Sequence, residues 1–548
     1  MTSQRSQIPP SQAKETTLWK QLWAWLRPDA RLMALLVIIM IVNVVLAVSG
    51  PLLLQETISL IEAQMDLTTI QETTLGLTAL FALLLLLAVF TEIGKNLFIA
   101  VINPRFIHRL RTDAFRKITQ HQVTFFDQVE TGRVVSRITN DSNELLDSGR
   151  RFAEVFSQLI IFITVFTVMA SFNLALTLAA IAVTPILFIS VFLMRKFQRS
   201  IAKRWRSRLA SVNARFGEIM GSIIISKSFG REQENLKQFH ELNEATYRAA
   251  KLRGIAIFSI GPVQDFLRTF GTVVLLFLAA WLISTNQTSV ATIYLFILLQ
   301  TYLFDPINAI ARSYNQFQSS FAALERILEI MADSQTSEDL GGDLFADIIE
   351  GAITLQNVDF EYLPNTPVLT NVSFTVTPGE TIAIVGHTGA GKSTVASLLM
   401  RFYTHKQGKI LIDNNPITEY NLRSLRKAIG FVSHDVLLFS GTIRDNLKLA
   451  KLNATETEMW QALDQVQATP FIQTLPNALD THIQEGGKNL SQGQRQMLSL
   501  ARALLTNPRI LILDEFTASL DLYTEAKIQE GIQTLLKSRT SIVIAHRL

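Results

Sequence analysis

Between Leu32 and Leu54 the chain carries no charged residue, and that run excludes most of the folds open to a chain of 548 residues. At about 1.5 Å per residue, a helix of this length crosses the roughly 30 Å hydrocarbon core of a bilayer. Lipid offers no water to backbone N–H and C=O groups, so a helix, which pairs them internally, is the conformation that suits such a run. A cleaved leader is the competing interpretation, because Ala47-Val48-Ser49 resembles a cleavage site. The preceding 31 residues are too many for a leader's basic start, and the run is too long for its apolar core. It reads as a first membrane span.

Five further runs of the same kind fall at about 75–101, 154–172, 174–194, 254–283 and 289–310. The connections between them differ sharply in charge. Residues 104–151 carry nine Lys/Arg and residues 195–253 carry fourteen, whereas 55–74, 171–173 and 284–288 carry none. The bias of basic residues toward the cytoplasmic side places the N-terminus, both long connections and everything after 310 in the cytoplasm. A multi-pass protein of the cell (inner) membrane is expected, with lipid bilayer as its surroundings. Ahead of the first span, Leu18 to Pro28 holds Trp19, Trp23 and Trp25 beside Lys20 and Arg27, which suits an elbow helix at the membrane–water interface.

The long basic connections have strong helical character, so the spans are expected to continue well beyond the bilayer. Their basic residues read as solvated helical faces near a membrane, with no nucleic acid as partner. Residues 332–348 are polar and glycine-containing, and strand-like and helix-like segments alternate after them. The expected division is an N-terminal segment over 1–31, a six-helix membrane domain over 32–330, a linker over 331–348 and an α/β domain over 349–548, whose G-x-x-x-x-G-K-[ST] loop from Gly386 to Ser393 makes it an α/β P-loop NTPase domain. Cysteine is absent, which excludes disulfide frameworks and cysteine metal sites.

In the last 200 residues, the run Thr381 to Val385 reads as a short buried strand and is followed by a glycine-bearing loop and a helix-favouring run. The stretch Gly386, His387, Thr388, Gly389, Ala390, Gly391, Lys392, Ser393 and Thr394 fits the phosphate-cradling pattern G-x-x-x-x-G-K-[ST]. Its glycines let backbone N–H groups turn toward an anion, and the helix from Lys392 adds the positive end of its dipole. Lys392 is expected to meet the β- and γ-phosphates of ATP, and the Ser393 hydroxyl to ligate Mg2+. Some 120 residues later, Ile510 to Leu513 make a buried strand that delivers Asp514 and Glu515 at its C-terminal end. Asp514 is placed to hold Mg2+, and Glu515 to polarise the attacking water. Between the two motifs, Ser491-Gln492-Gly493 opens a helix, a second anion-ready N-terminus.

This set resembles the ATP-binding cassette (ABC) family, and six spans followed by one cassette resembles an ABC exporter half-transporter. Phe126-Asp127, Thr131-Gly132, Ser136-Arg137 and Thr139-Asn140-Asp141 are similar to the exporters' first cytoplasmic loop, and Phe229 to Glu232 to the second. The resemblance implies that Tyr362 stacks on adenine and that Ser491 and Gly493 contact ATP held by the other subunit. It implies that Asp521 lies in the dimer-interface loop and that His546 senses the γ-phosphate. His434 stands where the family has Gln; it is expected to reach the water or Mg2+, with a charge that titrates near neutrality. Gln492 replaces the signature's first glycine. Such departures accompany heterodimers with unequal sites, so a heterodimer is favoured over a homodimer. Cassettes of the family continue for a few more elements past the position of His546, whereas this sequence stops at Leu548; an incomplete C-terminus and a short one are both open at this point.

The function expected is ATP-driven export of hydrophobic or amphipathic cargo, drug-like molecules or lipids, by alternating access. The alternative is an ATP-gated channel or regulatory subunit that binds ATP without pumping. Asp265 and Arg268 in the fifth span and Asp305 in the sixth either line the pathway, Asp305 favouring cationic amphiphiles, or are structural, with Asp265 and Arg268 paired one turn apart. Glu92 and Lys95 read as structural.

Overall fold

The computed structural model of the chain describes residues 22–63, 67–285, 287–332, 342–387, 389–514, 536 and 539–545. Two compact units result, one formed by residues up to 118 and 132–332, the other by 119–131 and 333–548.

The first unit is helical. Its main elements are α1 (Ala30–Glu62) and α2 (Leu67–Ile118), then, beyond the excursion of residues 119–131, Ser142–Phe172, Leu174–Ala182, Thr184–Gly221, Glu232–Phe258, Ile260–Ser284 and Val290–Ala332. The excursion carries α3 (Val123–Gln128), so these six are α4 to α9 in order. Six segments among the described residues are long and apolar enough to cross a membrane, including Gln71–Ile118 and Glu232–Ser284. A helix of 52 residues such as α2 is about 78 Å long, far more than the hydrocarbon core, so the expected extensions exist.

A small core of Val165 and Met169 from α4, Leu176 and Ala180 from α5, Leu275 and Ala279 from α8 and Phe296 and Leu299 from α9 holds this unit together. Small residues bring the helices close. A Cβ on Gly149 would stand 2.4 Å from the Asn103 side chain, and one on Gly271 would stand 2.9 Å from Gln300. Charged keys lock the basic ends. Arg326 grips Asp141 with two hydrogen bonds of 2.9 and 2.6 Å, and Arg109 reaches the buried Asp29 at 2.8 Å.

Two expectations change here. Trp25 is buried rather than interfacial. It stands edge-on to Phe106, and its indole N–H donates to Asp113 across 2.9 Å, because an Asp on α2 offers the polar partner that a buried indole needs. Trp23 is exposed, and Trp19 lies outside the described residues. Second, Arg268 pairs with Asp305 of α9 at 3.7 Å and not with Asp265. Helix packing brings an opposite charge from another element within reach, and that pairing displaces the one-turn neighbour. Glu92 and Lys95, expected to be structural, pair with each other one turn apart at 2.6 Å.

The second unit contains two main sheets. Strands β1 (Ile353–Leu363), β2 (Thr366–Val376), β4 (Gln407–Ile412) and β5 (Asn415–Pro416) form an antiparallel sheet in the order β2-β1-β4-β5. Strands β3 (Thr381–Val385), β6 (Ile429–Val432), β9 (Ile510–Asp514) and β10 (Thr540–Ala545) form a parallel sheet in the order β3-β10-β9-β6, and the short β7 (Gly441–Thr442) and β8 (His482–Ile483) pair with each other. Side chains of a strand alternate between faces, and β9 uses both. Ile510 and Ile512 enter the core shared with β1, β4 and the phosphate-loop helix, while Leu511 and Leu513 enter the core under the helical part.

The strand before the phosphate loop is not the buried one expected. β3 sits at the edge of its sheet, pairs only with β10 among the described strands, and leaves Val385 half exposed. An apolar β-branched run reports strand preference, whereas burial depends on neighbours; β9, flanked on both sides, is buried throughout. Within the same unit, α3 contributes Phe125 to the interior, and Tyr403 donates to Asp127 across 2.6 Å.

Candidate nucleotide site

The loop between β3 and α10 (Lys392–Leu399) is shaped by backbone conformations that ordinary residues avoid. Gly389 and Gly391 have φ of +85° and +84°. A Cβ on Gly391 would stand 2.7 Å from the Leu369 side chain and 3.0 Å from the Val368 carbonyl, so space and conformation both require glycine there. Gly391 caps α10, whose first turn leaves N–H groups directed at the loop. Lys392 is buried, and its ammonium donates to the carbonyls of Gly386 at 2.9 Å and His387 at 3.1 Å. The cation is thus held at the centre of the loop by the loop's own backbone. Ala390 N–H donates to the His387 carbonyl at 3.1 Å and closes the turn.

One residue along, Ser393 Oγ donates to Asp514 Oδ1 at 3.1 Å. Asp514 ends the buried strand β9 and is only 7% exposed, so two oxygen ligands from positions 121 residues apart meet at the C-terminal edge of the sheet. That edge is where parallel α/β sheets take ligands. β6 pairs in register with β9, Val432 opposite Leu513, so the exposed His434 follows its strand at the same edge that carries Asp514. Ser433 Oγ donates to the Asp435 carbonyl at 2.7 Å and shapes the turn that presents His434.

Tyr362 lies on the other flank of the helix. Its hydroxyl is 3.1 Å from that of the buried Thr394, and its ring stands edge-on to Phe360 and Tyr403 with centroids 4.8 and 5.0 Å away. The ring remains 46% exposed, which leaves apolar surface for a flat partner. Burial, followed by the hydrogen bond to Asp127, pushes the Tyr403 phenol well above its ordinary value. No sequence signal pointed to Tyr403; its partner Asp127 is 276 residues away, and a lone tyrosine after an aromatic is uninformative.

Ser491 and Gly493 are placed elsewhere. Ser491 caps α11 (Gln492–Leu504), accepting from the Gln494 N–H while the Gln494 side chain accepts from the Ser491 N–H, a complete capping box. This helix belongs to the other core, with Leu498 and Leu500, and no hydrogen bond joins Ser491 or Gly493 to the phosphate loop among the described residues. Gly386, His387, Gly389, Ala390, Gly391, Lys392, Ser393, Thr394, Tyr362 and Asp514 therefore gather around one helix N-terminus, and the signature turn stands apart. Thr388, Glu515, Asp521 and His546 lie outside the described residues.

Two family models and several known proteins match the chain. The family model of the ABC transporter transmembrane region matches residues 33–307, and that of the ABC transporter matches residues 369–518. The chain is 33% identical to a probable multidrug resistance ABC transporter ATP-binding/permease protein of Bacillus subtilis over 476 residues, covering 86% of this chain and 70% of the relative. It is 33% identical to a fatty acid ABC transporter ATP-binding/permease protein of Mycobacterium bovis over 442 residues, covering 80% and 70%. A putative ABC transporter ATP-binding protein of Streptococcus pneumoniae is 32% identical over 538 residues, covering 98% and 91%. With one membrane region and one ATP-binding region, such a chain works in a membrane, paired with another half-transporter. The chain belongs to the ABC transporter family, as an exporter-type half-transporter whose ATPase is coupled to transport.

Proposed function

We propose that the chain moves hydrophobic or amphipathic compounds, drug-like molecules or lipids, from the cytoplasm or inner leaflet outward by alternating access, as one subunit of a dimer in the cell membrane. The reading rests above all on one observation: a buried lysine in a glycine loop and a Ser393–Asp514 oxygen pair 3.1 Å apart converge in a chain whose described residues also carry six apolar segments. In this reading 1–31 is an elbow, 32–330 the membrane domain, 331–348 a linker and 349–548 the cassette, with the N-terminus and cassette cytoplasmic. The names of two relatives, multidrug resistance in one and fatty acid in the other, favour amphipathic cargo.

Ser393 and Asp514 are hard oxygen ligands, as Mg2+ requires, and among the described residues no cluster of three His, Cys, Asp or Glu offers a protein-only cage. They fit an ion shared with substrate phosphates, and His434, two residues beyond β6, would reach it from the same sheet edge; Mg2+ there would neutralise charge on the β- and γ-phosphates. On ATP binding, Lys392 exchanges its two loop carbonyls for phosphate oxygens, and the α10 N-terminus supplies backbone donors. Tyr362 stacks on the adenine. Glu515 orients and deprotonates the attacking water, and His546 reports the γ-phosphate. Ser491 and Gly493, set apart in their own chain, act on the partner's ATP. His434 and Gln492 favour a partner of different sequence.

The test is Mg2+-dependent ATPase of the chain reconstituted with its partner in vesicles. Glu515→Gln is expected to retain ATP while turnover falls by about a hundredfold or more. Near-normal hydrolysis would remove Glu515 as the base, and ion conductance without cargo movement would overturn the exporter reading.

A further inference from the structure

Asp305, which would favour a cationic cargo if it lined the pathway, has a counter-ion in Arg268. The cations of the first unit are arranged differently. Arg151, Arg195, Arg199, Arg206 and Arg253 line a single cavity of about 430 Å³ together with Gln198, and no Asp or Glu among the described residues lines it. Among the described residues, Arg151, Arg199, Arg206 and Arg253 make no ion pair. Two of them rest on aromatic rings, Arg253 at 4.1 Å from the centre of Trp205 and Arg199 at 5.3 Å from that of Tyr314. Such stacking uses the guanidinium face and leaves the N–H edge for an oxygen ligand. Gln198 donates to the Ala256 carbonyl at 2.7 Å and so sets the separation of α6 and α7, which carry four of the five arginines.

Arginines that merely reach for solvent spread apart. Five around one cavity repel one another, and an anion relieves that repulsion. Most of them stand where apolar runs stop, at the membrane–water boundary: Arg151 just before 154–172, Arg195 just after 174–194, and Arg253 just before 254–283. The carboxylates of Asp147 and Glu154 line a neighbouring cavity of about 870 Å³, which shares only Arg151 with this one. Beyond the boundary the same helices are apolar, so a headgroup held by the arginines has hydrocarbon-facing surface next to it.

We propose that this arginine-lined cavity binds an acidic amphiphile, its phosphate or carboxylate headgroup against Arg151, Arg199, Arg206 and Arg253 and its hydrocarbon chain along the apolar runs that begin beside Arg151, Arg195 and Arg253. As a cargo site it rests on the exporter reading; as a binding site it does not. The intact transporter, purified in a neutral detergent, is titrated by calorimetry with dodecyl phosphate, dodecyltrimethylammonium and inorganic phosphate. Dodecyl phosphate is expected to bind at least about tenfold more tightly than either of the others, the advantage of charge-assisted hydrogen bonds combined with a buried chain. The double variant R199Q/R206Q is expected to lose about tenfold of that affinity, and R199K/R206K, which keeps the charge, less than about threefold. Equal affinity for the two dodecyl compounds overturns the proposal, as does equal loss in the Gln and Lys variants or no loss in either. Inorganic phosphate binding as tightly as dodecyl phosphate replaces the amphiphile site with a free-anion site. ATPase measured on the same samples separates the two ideas. Headgroup-selective binding without ATPase counts against the exporter reading alone, and ATPase without selectivity counts against this site alone.

Discussion

The two units use the same apolar residues in opposite ways. In the first, Leu86 and Phe90 of α2 are 58% and 68% exposed, and none of the most apolar window of that segment is buried. In the second, every residue of β9 is buried. A leucine on α2 is surrounded by lipid tails as apolar as itself, so turning it inward brings no hydrophobic gain, and contacts are made by small residues and a few charged keys. A leucine on β9 is driven inward by water. Burial is therefore a statement about the solvent, and the same side chain carries different energies in the two units.

Substitutions can break or sharpen that contrast. The largest effect is expected from Lys392→Ala, which removes the loop's cation; ATP turnover should fall by about a hundredfold or more, with the helical unit's melting unaltered. Survival of ATPase would show that the lysine's two carbonyl contacts are merely structural. Next, Leu511→Ala should destabilise the cassette by about 2–5 kcal/mol, whereas Leu86→Ala should stay within about 0.5 kcal/mol in a lipid-like environment. Thermal melts of the two variants in the same detergent test the contrast directly, and equal shifts would abolish it.

Gly391→Ala combines a left-handed φ with a 2.7 Å approach to Leu369 and should cost about 1–3 kcal/mol, read as weakened nucleotide binding and a lowered melting temperature. Arg326→Gln leaves Asp141, whose side chain is 14% exposed, without its two-pronged partner; a loss of about 1 kcal/mol confined to the first unit is expected. Tyr403→Phe removes one exposed hydrogen bond and should cost about 0.5–1 kcal/mol. Since folding raises the Tyr403 pKa, its contribution is complete below the unfolded value of about 10 and is lost as pH rises through the folded value. The phenylalanine variant should therefore show a shallower alkaline loss of stability than the parent.

Much of the site was legible because its signals are local. The spacing from Gly386 to Ser393, the apolar run ending at Asp514 and the Ser491 cap are each set within about a dozen neighbouring residues, and their elements lie where that spacing puts them. The site's surroundings were less legible. Trp25 carried an interfacial composition but found Asp113, 88 residues away, and Tyr403 carried no signal until Asp127 was beside it.

By itself, then, the sequence determined the six apolar segments, the phosphate loop and the strand that delivers Asp514, because periodicity, charge bias and glycine spacing act over short stretches of chain. The tertiary structure decided that β3 is an edge strand, that Arg268 answers Asp305, that the signature turn stands apart from the phosphate loop of its own chain, and that five arginines scattered from 151 to 253 share one cavity. Those outcomes depend on which faces of distant elements meet, and face-to-face packing is set by the whole set of helices and strands at once.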